Sequence, residues 1–198
     1  MKKAAKKNWY DYLYIASAIY LFLGLFNILF AWLGMLCFTI PLIISFKTGT
    51  KTYCNKYCGR GQLFNLLGKK LKLSRNKSMP NWMKSKVFRY GFLLFFLTMF
   101  SLMIFNTVLV FNGTRSLSQV VTLLWTFKIP WQWAYHITSA PLWVSQYAFG
   151  FYSIMLTSIV LGIITMAMYK PRSWCIYCPM GTMTQLVCVA KESANKTK

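Results

Sequence analysis

Three apolar stretches organise the chain. Tyr10 to Phe46 runs for 37 residues with Asp11 as its only formal charge, Tyr90 to Phe111 is an uncharged run of 22, and Phe149 to Tyr169 is another of 21. An α-helix rises about 1.5 Å per residue and a bilayer core is about 30 Å thick, so the last two runs each span once. The first is long for one span and suits two short tilted helices, with a hairpin near Asn27 or Trp32 to Gly34. One span over Tyr10 to Phe46 remains the other pattern-compatible choice. A cleaved secretory signal is not predicted, because no small-residue site follows a compact apolar core there. The predicted fold is an all-α integral membrane protein, a single domain over 1–198, with about four transmembrane helices near 11–28, 29–46, 90–111 and 149–169.

The polar stretches predict the rest. Within the loop 47–89, Gly61 to Leu73 alternates apolar residues with lysines in a way that suits a short helix lying in the membrane interface. Ser74 to Pro80 reads as irregular. Between the last two runs, the loop 112–148 is rich in tryptophan (Trp125, Trp131, Trp133, Trp143) and tyrosine, the composition of an aromatic belt. Ser116 to Phe127 is predicted as a surface or re-entrant helix, with Pro130 and Pro141 bounding irregular backbone after it.

Charge changes this picture by giving it a direction. The chain has 198 residues, 23 Lys+Arg and only two acids, Asp11 and Glu192, for a net charge of +21. So basic a chain raises nucleic acid as a partner, but its cations flank apolar runs and form no reading face, so membrane lipid replaces nucleic acid as the expected surroundings. Twenty-one of the cations fall before the first run, in 47–89 or after the last run, against Arg115 and Lys128 alone in 112–148. Positive-inside asymmetry then predicts both termini and the 47–89 loop in the cytoplasm and 112–148 as an outer aromatic loop.

The candidate chemistry is a repeated cysteine pair. Trp174-Cys175-Ile176-Tyr177-Cys178-Pro179-Met180-Gly181 is echoed by Tyr53-Cys54-Asn55-Lys56-Tyr57-Cys58-Gly59-Arg60-Gly61. In each, an aromatic precedes the first cysteine, a tyrosine precedes the second, and a glycine follows three residues later. Thiolates at this spacing suit a soft metal centre, and each pair is followed by residues able to start a helix whose N-terminus favours anionic ligands. Cys54, Cys58, Cys175 and Cys178 are the expected ligands, meeting on the cytoplasmic face just beyond the second and fourth spans. Cys37 and Cys188 read as small hydrophobes. An iron-sulfur cluster, most simply [4Fe-4S], or a structural zinc answers to four thiolates.

Other chemistries lack their parts. His136 is the single histidine, which excludes a bis-histidine haem within one chain and leaves no convincing Ser-His-acid set. Two acids are too few for a carboxylate proton relay.

The paired motifs resemble the cysteine-x-x-x-cysteine-proline signature of membrane 4Fe-4S binding proteins of the NapH/NosR type. Cys54, Cys58, Cys175 and Cys178 match its cysteines, Pro179 its proline, and Gly61 and Gly181 its glycine. Gly59 stands where that signature has proline, two residues separate Cys175 from Cys178, and no ferredoxin-like module follows. The resemblance implies an electron-transfer subunit working with other redox subunits, such as a flavin-bearing extracytoplasmic partner, with quinone as a further possible carrier. With a single centre at one edge, a second carrier is expected to close the gap across the membrane. The alternatives are a membrane thiol-disulfide oxidoreductase and a zinc-stapled structural or transport subunit.

Overall fold

The structure, a computed structural model, describes residues 9–124, 126–130 and 140–196. Trp125, Trp131, Trp133, His136 and the four lysines of residues 1–8 lie outside the described residues.

A short turn over Trp9–Tyr12 leads into α1 (Leu13–Phe26). Asn27 ends it: its backbone is extended and its side chain accepts the Leu29 N–H at 3.0 Å, starting a 3-10 turn over Ile28–Leu33 that feeds α2 (Gly34–Thr48). The Tyr20 hydroxyl lies 3.5 Å from the Ala31 carbonyl, so the chain doubles back at the predicted hairpin. Gly49, in the left-handed conformation at φ 67°, stops α2.

After a single π-turn at Tyr53–Tyr57 come α3 (Gly59–Lys69), the short α4 (Asn81–Lys84) and α5 (Lys86–Phe111). Strands β1 (Val120–Leu123) and β2 (Phe127–Pro130) follow, then α6 (Leu142–Met168), α7 (Trp174–Tyr177) and α8 (Pro179–Lys196). Among the described residues, three helical stretches are long and apolar enough to cross a membrane: Ile28–Thr48, Lys86–Phe111 and Leu142–Met168. With 14 residues, α1 is a shorter apolar helix, about 21 Å long. The protein is thus predominantly helical and of membrane type. Helices α5 and α6 begin before the apolar runs do, because Ser85 caps the first by accepting the Phe88 N–H at 3.2 Å and Pro141 precedes the second. An uncharged run marks what fits in lipid, not where the hydrogen-bonded helix starts.

Two expectations are corrected. Ser116 to Phe127 is not helical: β1 and β2 form an antiparallel hairpin with Val121 opposite Ile129 and Leu123 opposite Phe127. The β-branched run Val120-Val121-Thr122 favours strand, and Leu124, at φ 51°, makes the turn. Strand backbone beside a spanning helix needs partners, and α6 supplies them: Ser153 accepts the Thr122 N–H at 3.0 Å and Thr157 the Leu124 N–H at 3.4 Å. Nor does the segment from Gly61 lie flat on a surface. Helix α3 packs against α1 and α6, its Phe64 fully buried where only a glycine, Gly162, leaves room for the ring. Within a bilayer, such close approach at small residues is what holds helices together.

The interior divides in two. Near the cysteines, Phe64, Phe96, Phe151, Trp174 and Tyr177 form one cluster; beside the hairpin, Ile28, Ala31, Val121, Phe149 and Tyr152 form the other.

Candidate metal centre

The first cysteine pair arrives on the π-turn and the start of α3. Cys58 is the residue that caps α3, its extended backbone (φ −68°, ψ 99°) turning the chain so that its sulfur accepts the Gly61 N–H at 3.4 Å. The second pair repeats this: Cys178 immediately precedes α8, and the Gly181 N–H bonds its sulfur. The glycine three residues beyond each second cysteine therefore sits where a helix's third amide is offered to its cap. The sequence echo is a repeated sulfur-capped helix start.

The two halves come together at Gly61. A Cβ on this glycine would stand 3.6 Å from the sulfurs of both Cys58 and Cys175, so the two sulfurs flank a space that even alanine would enter. At Gly181 a Cβ would lie 3.8 Å from the Cys178 Cβ. Cys54 reaches the second half through the Thr184 hydroxyl of α8, 3.6 Å from its sulfur.

Electrostatics tie all four into one set. Burial pushes the Cys175 thiol up to about 12, and the neighbouring charges of Cys178, Cys58 and Cys54 add to the rise, with Arg172 opposing it. Cys175 is exposed as a residue, yet protein surrounds its sulfur on enough sides for desolvation to dominate. Burial also raises Cys178, against which the Gly181 hydrogen bond and Arg60 work, while Cys58 and Cys54 push it further up. Cys54 is raised by burial as well, eased by the Thr184 hydrogen bond. Three thiols raised in this way, Cys54, Cys175 and Cys178, cannot ionise together unless a cation shares the space.

The donor set fits a soft, multiply charged centre: sulfur ligands, two amides aimed at sulfur, and room kept clear by glycine. Among the described residues, no three Cys, His, Asp or Glu side chains converge closely enough to hold one metal ion as they stand. A single zinc needs sulfurs about 3.8 Å apart, from Zn–S bonds near 2.3 Å, whereas a cluster spreads its ligands more widely.

Arg60, between Gly59 and the motif glycine Gly61, is a member of the site that the cysteine pattern did not reveal. Its guanidinium donates to the Ser158 hydroxyl at 2.6 Å and lies 2.9 Å from the Met155 sulfur, both on α6. Its charge also favours the Cys178 thiolate. A cation two residues after a capping cysteine was the available signal, hidden among the other lysines and arginines of 47–89. Thr184, by contrast, had no sequence mark.

Depth differs from expectation. Arg60 meets Ser158, Phe64 meets Gly162 and Gly68 meets Pro171, so α3 runs alongside the end of α6 in the same direction. Its start, next to Cys58, lies about three turns before α6 ends. The first pair follows the second span in sequence but folds back beside the bundle. Aromatic side chains wall the second pair: Trp174 packs edge-on to Phe92, and Tyr177 contacts Phe88 and bonds Thr165.

Cys37 lies on α2 and is exposed, yet it stands near enough to Cys58 and Arg60 to interact electrostatically with both. Cys188 is closer than a simple hydrophobe would be, since its charge bears on Cys54. No protein-family model, curated protein or solved structure matches this chain.

Proposed function

We propose that this chain is an electron-transfer subunit that binds one iron-sulfur cluster, most simply [4Fe-4S], through Cys54, Cys58, Cys175 and Cys178. It crosses the bacterial inner membrane four times, α1 being the short fourth span, with both termini in the cytoplasm and the cysteine pairs in the cytoplasmic half of the molecule. The observation that carries this is the convergence of both half-sites on Gly61, whose missing side chain leaves space between the Cys58 and Cys175 sulfurs. The cluster, when bound, supplies one-electron redox chemistry. The residues do the rest: four cysteines give up protons to become ligands, the Gly61 and Gly181 amides orient sulfurs, Arg60 balances negative charge, and Phe88, Phe92 and Trp174 pack around the second half-site.

A thiol-disulfide oxidoreductase fits less well. Such enzymes use thiols of lowered pKa, and burial raises three of these four. A zinc staple shares the ligands and is separated by experiment. The partners follow from the resemblance to the NapH/NosR type: other redox subunits, among them a flavin-bearing protein on the outer side, with quinone as a mobile carrier. Thr157, which holds the hairpin turn, is adjacent in α6 to Ser158, which holds Arg60. Outer-side structure therefore reaches the level of the site, and less of the membrane is left for a second carrier to bridge.

Absorption of anaerobically purified protein tests the proposal. A broad visible band bleached by dithionite is expected; a colourless protein with one zinc per chain would establish the staple.

A further inference from the structure

A second site lies at the other end of α5 and α6. A cavity of about 460 Å³ opens there between the two helices and the hairpin, within the size range of ligand pockets. The 112–148 segment holds two charged residues, Arg115 and Lys128, and both line this cavity. No acid does. Arg115 is fixed by donating one N–H to the Asn106 side-chain oxygen at 2.8 Å, which leaves most of its guanidinium donors available. Gln146 accepts the Ser118 N–H at 2.9 Å through its oxygen, so its amide nitrogen is left to donate. Lys128 stands on β2 opposite Thr122, and among the described residues its ammonium has no hydrogen-bonded or ionic partner. The polar lining is thus a set of donors converging without an acceptor of negative charge, the arrangement that recognises an anion. Deeper, the walls turn apolar, with Met99, Met103 and Ile154.

We infer that this cavity binds an anionic phospholipid, the phosphate held by Arg115, Lys128 and the Gln146 amide and an acyl chain laid along Met103 and Ile154. On the cytoplasmic side of membranes, basic pockets between transmembrane helices bind such headgroups, and the same pairing of cations with a phosphate serves in the outer half. The split between cationic lining and apolar depth favours an amphiphile over a free anion, because a soluble phosphate would leave the apolar half of the cavity unused. Placing two cations in a segment otherwise without charge gives the site its selectivity for negative over zwitterionic lipid.

Native mass spectrometry of the full chain released from nanodiscs of known composition tests this. With phosphatidylglycerol and phosphatidylcholine present equally, one retained phosphatidylglycerol per chain is expected. The R115Q/K128Q variant should lose retention at least tenfold, and the charge-conserving R115K/K128R variant should keep most of it. Equal retention of both lipids by the wild type, or undiminished retention by R115Q/K128Q, would overturn the site. Glycerol 3-phosphate displacing the lipid at comparable concentration would overturn its lipid character.

Discussion

The sulfurs of Cys58 and Cys175, 117 positions apart in the polypeptide, each lie 3.6 Å from the one point that a methyl group on Gly61 would fill. A substitution at that point separates folding from metal binding. In the empty protein, 3.6 Å is an ordinary contact, and alanine gains about 0.5–1 kcal/mol over glycine within a helix. Gly61→Ala should therefore leave the metal-free protein as stable as before or more so, while cluster occupancy falls severalfold. Gly91→Ala, which meets nothing within 4 Å, is the control. Iron analysis and melting of the two variants decide it; equal iron in both would mean the space at Gly61 is not part of the site.

Gly162 makes the opposite case. An added Cβ would run into the Phe64 ring, which is fully buried and cannot retreat. Overpacking of this kind costs about 1–3 kcal/mol. Gly162→Ala should lower the melting temperature and loosen α3, and trimming Phe64 to Leu in the same chain should restore part of the loss.

The thiols set a pH dependence with a definite sign. Burial raises Cys54, Cys178 and Cys175, the last to about 12, against an ordinary 9.0. Raised acids stay protonated when folded, so the unfolded chain ionises first and the metal-free protein loses stability as pH climbs above 9. Loading the centre expels those protons, so apparent affinity for metal should rise with pH. In the metal-free protein at pH 8, Cys175 should alkylate at least about tenfold more slowly than a free thiol despite its surface access. Fast labelling there would mean the thiol is not desolvated.

Arg60 should tune the centre without building it. Reduction adds negative charge, which a nearby cation stabilises, so Arg60→Gln is expected to lower the reduction potential by tens of millivolts, about 59 mV for each tenfold change in equilibrium. Arg60→Lys should recover part of the shift. Redox titration followed by electron paramagnetic resonance reads it; an unchanged potential would leave Arg60 as a helix-packing residue bonded to Ser158.

Much of this was legible in the residues. Apolar runs marked the three helical stretches long enough to span, the turn after the first helix falls at Asn27, one of the two places expected for it, and the spacing of cysteine to glycine in both motifs became two sulfur-capped helix starts. What escaped was tertiary. The Gly61 to Leu73 lysine-and-apolar pattern is shared by interfacial and packed helices alike, and only the fit of Phe64 against Gly162 distinguishes them. The hairpin escaped because its stability lies in the Ser153 and Thr157 hydroxyls of another element. Likewise, the depth of the first cysteine pair is set by which helix α3 lies against, a contact no local spacing encodes.

The central claim is that the two half-sites hold one centre, and ligand replacement across the halves tests it most directly. Iron and acid-labile sulfide should be counted in anaerobically purified Cys54→Ser and Cys175→Ser, beside Cys37→Ala and Cys188→Ala. A hydroxyl is a poor substitute for a thiolate, so one change in either half should remove most of the iron and sulfide, while the two alanine variants keep about four of each per chain. Full iron in Cys54→Ser together with loss in Cys175→Ser would contradict a shared centre.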